Sequence, residues 1–138
     1  MYEILTPAQT VSRTYLRSYI NEEDFLRFKK ALKTFLANFD EQGKEEYNKT
    51  LVRDFLKEAF YDKTNAINIY GDADSAIYGT VHAKGSVPLV LIEAKSCKSA
   101  DMIDQQHFNR KALHELVLYY LREEIGQENF AITHLIIT

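Results

Sequence analysis

The sequence predicts an α+β domain in which helices flank a mixed central sheet. Two stretches with apolar residues at helical spacing come first, and three short apolar segments bounded by turn residues follow them. A further helical stretch then separates the third of these segments from a last apolar segment. Because an antiparallel hairpin is followed by a helical crossover, the predicted order is αβββαβ, with a mixed sheet covered by helices.

The composition is that of one globular domain. The chain has 138 residues, of which 46% are hydrophobic, and this is enough to build a core. No apolar run approaches the length of a membrane span, and there is no signal-peptide pattern. The single cysteine, Cys97, excludes an internal disulfide framework and suits a reducing compartment, so we expect a cytoplasmic protein.

The net charge of −3 bears on the class of partner. A protein that binds nucleic acid through phosphate contacts alone needs a basic surface, and this chain does not have that balance. The charge does not exclude an active site that meets nucleic acid through metal ions.

Residues 1–40 are predicted to form an extension with one amphipathic helix. Asn21 is a suitable N-cap, and acids fill the first turn that follows it. The apolar face recurs at helical spacing and comprises Phe25, Phe28, Leu32, Phe35, Leu36 and Phe39. Lys29, Lys30 and Lys33 lie on or near the other face, where a solvated surface is a simpler interpretation than contact with DNA.

A second helix is predicted over residues 44–60, after a break at Gln42-Gly43. At about 100° per residue, Glu45 points near the middle of its apolar stripe, whereas Glu46 points well away from it. An acid on a buried helix face needs a reason, because an unpaired buried charge is costly. Two interpretations stay open: Glu45 is stabilised by the helix dipole, or it reaches a polar pocket.

Three strands are predicted over residues 66–70, 74–81 and 87–95, the second and third joined by a tight turn at 83–85. The third strand is apolar on both faces, as expected of a central strand, and Pro88 is tolerated near its start. A long helix over residues 105–125, with Gly126 as its C-terminal cap, and a last strand over 130–138 complete the domain. The sequence stops at that strand, so we expect the chain to continue beyond Thr138.

The predicted hairpin brings three charged residues together. Side chains alternate along a strand, so Glu93 and Lys95 share a face. The start of the first hairpin strand lies beside the end of the second, and this places Asp74 near both of them. Asp72 is the main competitor for the role of the first acid, but Asp74 directly precedes the apolar strand.

An acid, an E-x-K triplet and a preceding helical glutamate, arranged on this order of elements, resemble the core of the PD-(D/E)XK nucleases. The acid is Asp74 and the triplet is Glu93-Ala94-Lys95, while Ala73 stands where a proline is usual. The resemblance implies a restriction-endonuclease-like core over residues 41–138.

Longer segments also resemble the N-terminal nuclease region of type IIG restriction-modification proteins. These segments are N-K-T-L-V-R-D-F-L-K-E-A-F-Y (48–61), L-V-L-I-E-A-K-S (89–96), N-R-K-A-L-H-E-L-V-L-Y-Y-L-R-E-E (109–124) and H-L-I-I-T (134–138). The resemblance implies a type II site-specific deoxyribonuclease that cuts double-stranded DNA. It also implies a methyltransferase and a target-recognition region on the same full-length chain.

The chemistry implied by this resemblance needs a divalent cation. Two carboxylates about 4 Å apart repel by about 4 kcal/mol at an effective dielectric near 20, so either a cation or a proton must compensate. Asp74 and Glu93 supply oxygen ligands of the kind that Mg²⁺ prefers, with Mn²⁺ as a substitute. The resemblance adds the Ala94 carbonyl and Glu45, with Glu46 as the fallback, and Lys95 would position water or stabilise transition-state charge.

Other residues offer weaker signals. Gln105, Gln106, Asn109 and Lys111 open the predicted long helix, where either a place near the site or a solvated first turn accounts for them. The four histidines show no zinc spacing with the lone cysteine.

Two alternative functions stay open. The first is a repair or junction-resolving nuclease of the same fold, and the second is a non-catalytic binding module built on a nuclease-like fold. We expect the isolated domain to cleave DNA feebly, because target reading would lie elsewhere on the chain.

Overall fold

A computed structural model describes residues 3–81, 85–96 and 98–138. The helices are α1 (Pro7–Thr10), α2 (Arg13–Leu16), α3 (Glu22–Asn38), α4 (Glu45–Leu56) and α5 (Lys111–Leu121). Two π-helical turns, Lys57–Tyr61 and Arg122–Gly126, extend α4 and α5. The strands are β1 (Ile67–Tyr70), β2 (Ala73–Tyr78), β3 (Pro88–Glu93) and β4 (His134–Ile137).

The four strands form one mixed sheet in the order β1-β2-β3-β4. The first three strands are antiparallel neighbours, and β4 runs parallel to β3, with Val90 opposite His134. The crossover between β3 and β4 contains α5, as a parallel connection requires. The predicted α+β class and the order αβββαβ of the domain core are therefore confirmed.

Helices cover both faces of the sheet. On one face, Ala76, Tyr78 and Leu91 form a buried cluster with Leu116 of α5. On the other face, Ile67, Ile77 and Ile92 are buried, with Leu56 and Tyr61 packed against them. Burying each large aliphatic side chain contributes about 1.5–3 kcal/mol. These two layers explain why the third predicted strand is apolar on both faces.

Helix α3 packs on α4 through aromatic side chains. The ring centroids of Phe28 and Phe35 lie 6.0 and 5.4 Å from that of Phe55. The predicted cap is confirmed, since the Asp24 amide donates to the side-chain oxygen of Asn21 at 2.8 Å. Within the described residues, no helix is both long and apolar enough to cross a membrane.

The strands are shorter than the sequence predicts. Strand β2 ends at Tyr78, and β3 ends at Glu93, so Lys95 lies beyond it. Of the predicted turn at 83–85, residues 83 and 84 lie outside the described residues, and Gly85 has a positive φ of 79°. Strand β4 begins only at His134, because Asn129 organises a turn before it by accepting a hydrogen bond from the Ala131 amide at 3.0 Å.

The predicted start of the long helix at residue 105 is wrong. Helix α5 begins at Lys111, and Gln105, Gln106 and Asn109 lie in the connection before it. The reason is local, because the Asp104 carboxylate accepts hydrogen bonds from the Gln106 and His107 amides at 2.7 and 2.8 Å. This side chain offers the backbone a turn in place of a helix.

The predicted role of Gly126 as a left-handed helix cap is also wrong. It is the last residue of the π-helical turn and has no positive φ, whereas Glu128 adopts the left-handed conformation at φ 53°. The Glu123 carbonyl accepts hydrogen bonds from both the Gln127 and the Asn129 amides. Because this turn extends to Asn129, the residue with positive φ is Glu128, two positions after Gly126.

Candidate functional site

The hairpin brings Asp74 beside the E-x-K triplet. Strands β2 and β3 pair with Ser75 opposite Ile92, and continuing this register places Asp74 opposite Glu93. Directly opposed residues of an antiparallel pair project to the same side of the sheet. Oδ2 of Asp74 also accepts a hydrogen bond from the Ala94 amide at 2.8 Å. The first acid is therefore tied to the backbone of the triplet.

Lys95 reaches back onto the acid of its own triplet. Its ammonium pairs with Oε1 of Glu93 and with Oε2 of Glu115, the latter at 2.9 Å. The backbone of Lys95 is also fixed, because its amide donates to the Thr138 carbonyl at 2.9 Å. The triplet thus has a defined conformation although Lys95 lies outside β3.

Glu45 joins this group from the first turn of α4, and Glu46 does not. Oε2 of Glu45 accepts a hydrogen bond from the Ser96 amide at 3.1 Å. The side chain of Glu46 is 84% exposed and contacts only the ammonium of Lys49, at 3.3 Å, among the described ion pairs. The acid predicted to lie on the buried helix face is the one that reaches the site.

Lys49 belongs to the site although the sequence analysis did not select it. Its ammonium lies 2.8 Å from Oδ1 of Asp74 and 2.9 Å from Oε1 of Glu45, and its side chain is 14% exposed. The available signal was its position four residues after Glu45, because residues at this spacing are neighbours on a helix surface. The lysine therefore links Glu45 on α4 to Asp74 on β2.

Glu115 is the second residue that the sequence analysis missed. It contacts Lys95 from α5, and it also pairs with Lys111 at 3.5 Å. It lies three residues after the buried Ala112 and four before the half-buried Tyr119. An acid on the inward stripe of a helix is the signal that selected Glu45, and it applies equally here.

Several other candidates lie away from the triplet. Asp72 is exposed and pairs with Arg122 rather than with the site. Lys111 reaches the site only through Glu115. His107 pairs with Asp104 in the connection before α5. His82 and Cys97 lie outside the described residues.

The comparison with protein families has one result. A family described as a domain of unknown function, DUF7149, matches residues 5–138. The chain belongs to the DUF7149 family. No curated protein and no solved structure matched the chain.

The DUF7149 match includes every residue of the candidate site as well as helix α3. The family description carries no activity, so the function of the site has to be argued from its geometry.

Charge dominates the DUF7149 site. Burial raises the pKa of the Glu93 carboxyl, and the neighbouring charge of Asp74 raises it further. Burial alone would lower the pKa of Lys95, but its hydrogen bonds to Glu93 and Glu115 outweigh this and raise the pKa overall. The pKa of Lys49 is raised in the same way by Asp74 and Glu45.

The acids on the helices behave in the opposite way. Burial alone would raise the pKa of Glu45, but its hydrogen bonds with Lys49 and the Ser96 amide outweigh this and lower it. The pKa of Glu115 is lowered despite burial, because Lys95 and Lys111 lie beside it. Four carboxylates and two ammonium groups meet here, which leaves a formal charge of −2 on the site.

The residues present fit a divalent cation. Among the described residues, Oε2 of the buried Glu93 has no hydrogen-bond partner, and such an oxygen needs one. No three His, Cys, Asp or Glu side chains of the described chain are grouped as a ready metal cluster. Mg²⁺, however, is usually held by one or two carboxylates, with water and substrate phosphate in its other positions. Asp74 and Glu93 meet that requirement.

A cleft lies beside the site, although Asp74 and Glu93 themselves do not line it. Its volume is about 200 Å³, and its polar lining includes Glu45, Lys49 and Lys95. Apolar side chains of α3 and α4, among them Phe35 and Val52, form another part of its lining. Glu45, Lys49 and Lys95 are therefore the charged groups of the site that border the cleft.

Proposed function

We propose that this chain is a Mg²⁺-dependent DNA endonuclease domain of the PD-(D/E)XK type. It would hydrolyse phosphodiester bonds as part of a type II restriction-modification protein. The observation that carries the proposal is the 2.8 Å hydrogen bond between Asp74 and the Ala94 amide, which joins the first acid to the E-x-K triplet. Glu45 supports the proposal, because its carboxylate accepts a hydrogen bond from the amide of Ser96, the residue that follows the triplet.

Asp74, Glu93 and the Ala94 carbonyl are the groups that would hold the cation, with Glu45 beside them. When bound, Mg²⁺ supplies an activated water and neutralises charge on the phosphate. Mn²⁺ is expected to replace it, because both are hard cations that accept oxygen ligands. The buried, unpartnered oxygen of Glu93 and the negative charge of the site favour this assignment.

Lys95 is proposed to stabilise negative charge rather than to accept a proton. Its raised pKa keeps the ammonium protonated at neutral pH, so it can donate hydrogen bonds to an attacking water or to a phosphate oxygen. Glu115 is a positioning residue, because it holds the ammonium from α5 at 2.9 Å.

Double-stranded DNA is the proposed substrate, and reading of its sequence is assigned to other parts of a full-length protein. The net charge of −3 gives this domain little affinity for phosphate. A methyltransferase and a target-recognition region on the same chain would hold the DNA against the cleft. The domain alone is therefore expected to cleave weakly.

Cleavage of supercoiled plasmid by the domain and by its parent protein, with Mg²⁺ or Mn²⁺, tests the proposal. Removing a group that stabilises transition-state charge typically costs about 10²–10³ in rate, so Lys95→Ala should lower cleavage by this amount. Lys98→Ala is the matched control, because this nearby lysine is exposed and its described ion pair is with Glu41 rather than with an acid of the site. Metal-dependent cleavage that survives both Lys95→Ala and Glu93→Ala would exclude the proposal.

A non-catalytic nuclease-like module is the second candidate. It is favoured by one observation, namely that lysines engage one oxygen of Asp74 and one of Glu93. Titration with Mn²⁺ separates the two candidates, because a module without catalytic function needs no cation near these acids. A repair or junction-resolving nuclease of the same fold would instead bind the cation and prefer branched over duplex DNA.

A further inference from the structure

Lys49 contacts the carboxylates of three residues. Its ammonium bridges Asp74 on β2 and Glu45 on its own helix, at 2.8 and 2.9 Å, and Glu46 lies 3.3 Å away. The side chain crosses from α4 to the start of β2 and is 14% exposed. A single positive charge therefore joins acids from two elements at the position where the proposed function requires a cation.

The two oxygens of Asp74 are both engaged. Oδ2 accepts the Ala94 amide, and Oδ1 faces the ammonium of Lys49. The amide belongs to the backbone at the end of β3 and is fixed there. Lys49 is the partner that a cation can displace, because its ammonium is carried on a flexible four-carbon stem.

We propose that Lys49 is an internal counter-ion that competes with the divalent cation for Asp74. This inference rests on the proposed function, since it assumes that the site binds such a cation. In the metal-free domain the ammonium pairs with both Asp74 and Glu45 and offsets one of their two negative charges. Entry of the cation requires the ammonium to leave Oδ1 of Asp74, so part of the binding free energy is spent on breaking this ion pair.

Lys95 differs from Lys49 in this respect. Lys95 contacts Oε1 of Glu93, while Oε2 of that residue has no partner among the described residues, so a cation can bind Glu93 without displacing it. Lys49 also has an alternative position, because Glu45 and the exposed Glu46 lie on its own helix and can retain the ammonium after it leaves Asp74. Only the pairing with Asp74 has to break.

The test is a titration of the domain with Mn²⁺, followed by the electron paramagnetic resonance signal of the free ion. Lys49→Met keeps the length and apolar stem of the side chain and removes its charge. We expect the Kd for Mn²⁺ to fall by about tenfold or more, because the site loses a repelling charge. Lys98→Met, at an exposed lysine outside the site, should leave the Kd unchanged.

Thermal melting provides a second readout. Without metal, Lys49→Met should lower the Tm, because Asp74 and Glu45 lose their counter-ion. Saturating Mn²⁺ should then raise the Tm of this variant by more than it raises that of the wild type. If the variant melts too early for titration, Lys49→Arg replaces it, and this variant should bind Mn²⁺ more weakly because a guanidinium pairs with a carboxylate through two hydrogen bonds.

The outcomes separate this inference from the proposed function. Wild-type protein that binds Mn²⁺ with the same Kd as Lys49→Met would overturn the role of Lys49 and leave the nuclease proposal in place. Unchanged or tighter binding by Lys49→Arg would overturn it as well. Absence of Mn²⁺ binding in both the wild type and Lys49→Met would contradict the cation site itself, and with it the proposed function.

Discussion

Two buried glutamates of this domain have opposite surroundings. Glu93 is 2% exposed and lies among charges, with Lys95 on one oxygen, Asp74 beside it and no partner for the other oxygen among the described residues. Glu123 is 6% exposed and has neutral partners, namely the Asn129 amide group at 3.2 Å and the Tyr70 hydroxyl. The Glu93 carboxylate therefore has one oxygen without a hydrogen bond among the described residues, whereas the Glu123 carboxylate is hydrogen-bonded to two neutral side chains.

The comparison shows that burial of an acid does not by itself indicate function. Around Glu123 each contact has a structural purpose, because Asn129 also donates to the Pro88 carbonyl at 3.1 Å and accepts from the Ala131 amide. This network fastens the end of α5 to the start of β3. At Glu93 the oxygen without a hydrogen bond lies among other charged groups, and a bound ligand can supply the missing partner.

The largest expected effect comes from Glu93→Gln. Loss of this carboxylate should lower metal-dependent cleavage by at least about 10²–10³, the range seen for groups that stabilise transition-state charge. The free energy of unfolding in the absence of metal should stay the same or rise, because the surroundings that raise the pKa of Glu93 disfavour its charged form. Lys95 keeps Glu115 as a partner at 2.9 Å, so its ammonium is not left unpaired. Plasmid cleavage and urea denaturation measure the two quantities. Loss of activity accompanied by marked destabilisation would mean that Glu93 is mainly structural.

Glu123→Ala should give the reverse pattern. It removes the acceptor shared by Tyr70 and Asn129 in a buried place, which typically costs about 1–3 kcal/mol of unfolding free energy. Cleavage by the folded fraction should not change. Urea denaturation measures the loss, with Glu124→Ala as the neighbouring control. If Glu123→Ala keeps its stability but loses cleavage, Glu123 is needed for activity rather than for folding, and the contrast with Glu93 is wrong.

Much of the candidate site around Glu93 could be predicted from the sequence, whereas the network around Glu123 was not predicted. The predicted hairpin placed Asp74 beside Glu93, and strand alternation placed Lys95 on the same face. Lys95 does contact Glu93, although it lies beyond the end of β3. Glu45 followed from helical periodicity in the same way. Helical spacing also offered a signal for Lys49 and Glu115, which the sequence analysis missed, but their partners, Asp74 and Lys95, depend on how α4 and α5 pack on the sheet, which no local pattern fixes.

The errors have equally local causes. The start of α5 was predicted six residues too early, because the side chain of Asp104 competes for backbone amides that a helix would use. Gly126 was predicted as the helix cap because glycine favours positive φ, yet Glu128 adopts that conformation when the Glu123 carbonyl accepts two amides. A wide turn of this type has no distinct sequence pattern.

The smallest expected effect concerns the pH dependence of the Glu123 network. Burial and the hydrogen bond to the Glu123 carboxylate together raise the pKa of Tyr70 to about 12. A raised pKa in the folded state means that this contribution is complete below the ordinary tyrosine pKa of about 10 and is lost as the pH rises toward 12.

Tyr70→Phe tests this dependence. The variant should be less stable by about 1 kcal/mol at neutral pH, the typical net value of one hydrogen bond. Its difference from the wild type should then shrink between about pH 10 and 12, as urea denaturation at several pH values would measure. Comparison with the wild type removes the background from the other tyrosines. A difference that is constant across this range would mean that Tyr70 does not act through its hydroxyl proton.

The pairing of Thr138 with the triplet has a consequence for the order in which the domain assembles. The Thr138 amide donates to the Glu93 carbonyl, and the Lys95 amide donates to the Thr138 carbonyl. Thr138, which is distant in sequence, therefore binds the backbone at both ends of the triplet. Contacts that close long loops form late in folding, whereas the β2–β3 hairpin is local. During synthesis, the acids and the lysine of the proposed site would therefore emerge well before the strand that fixes them, and the site would be complete only after β4 has docked.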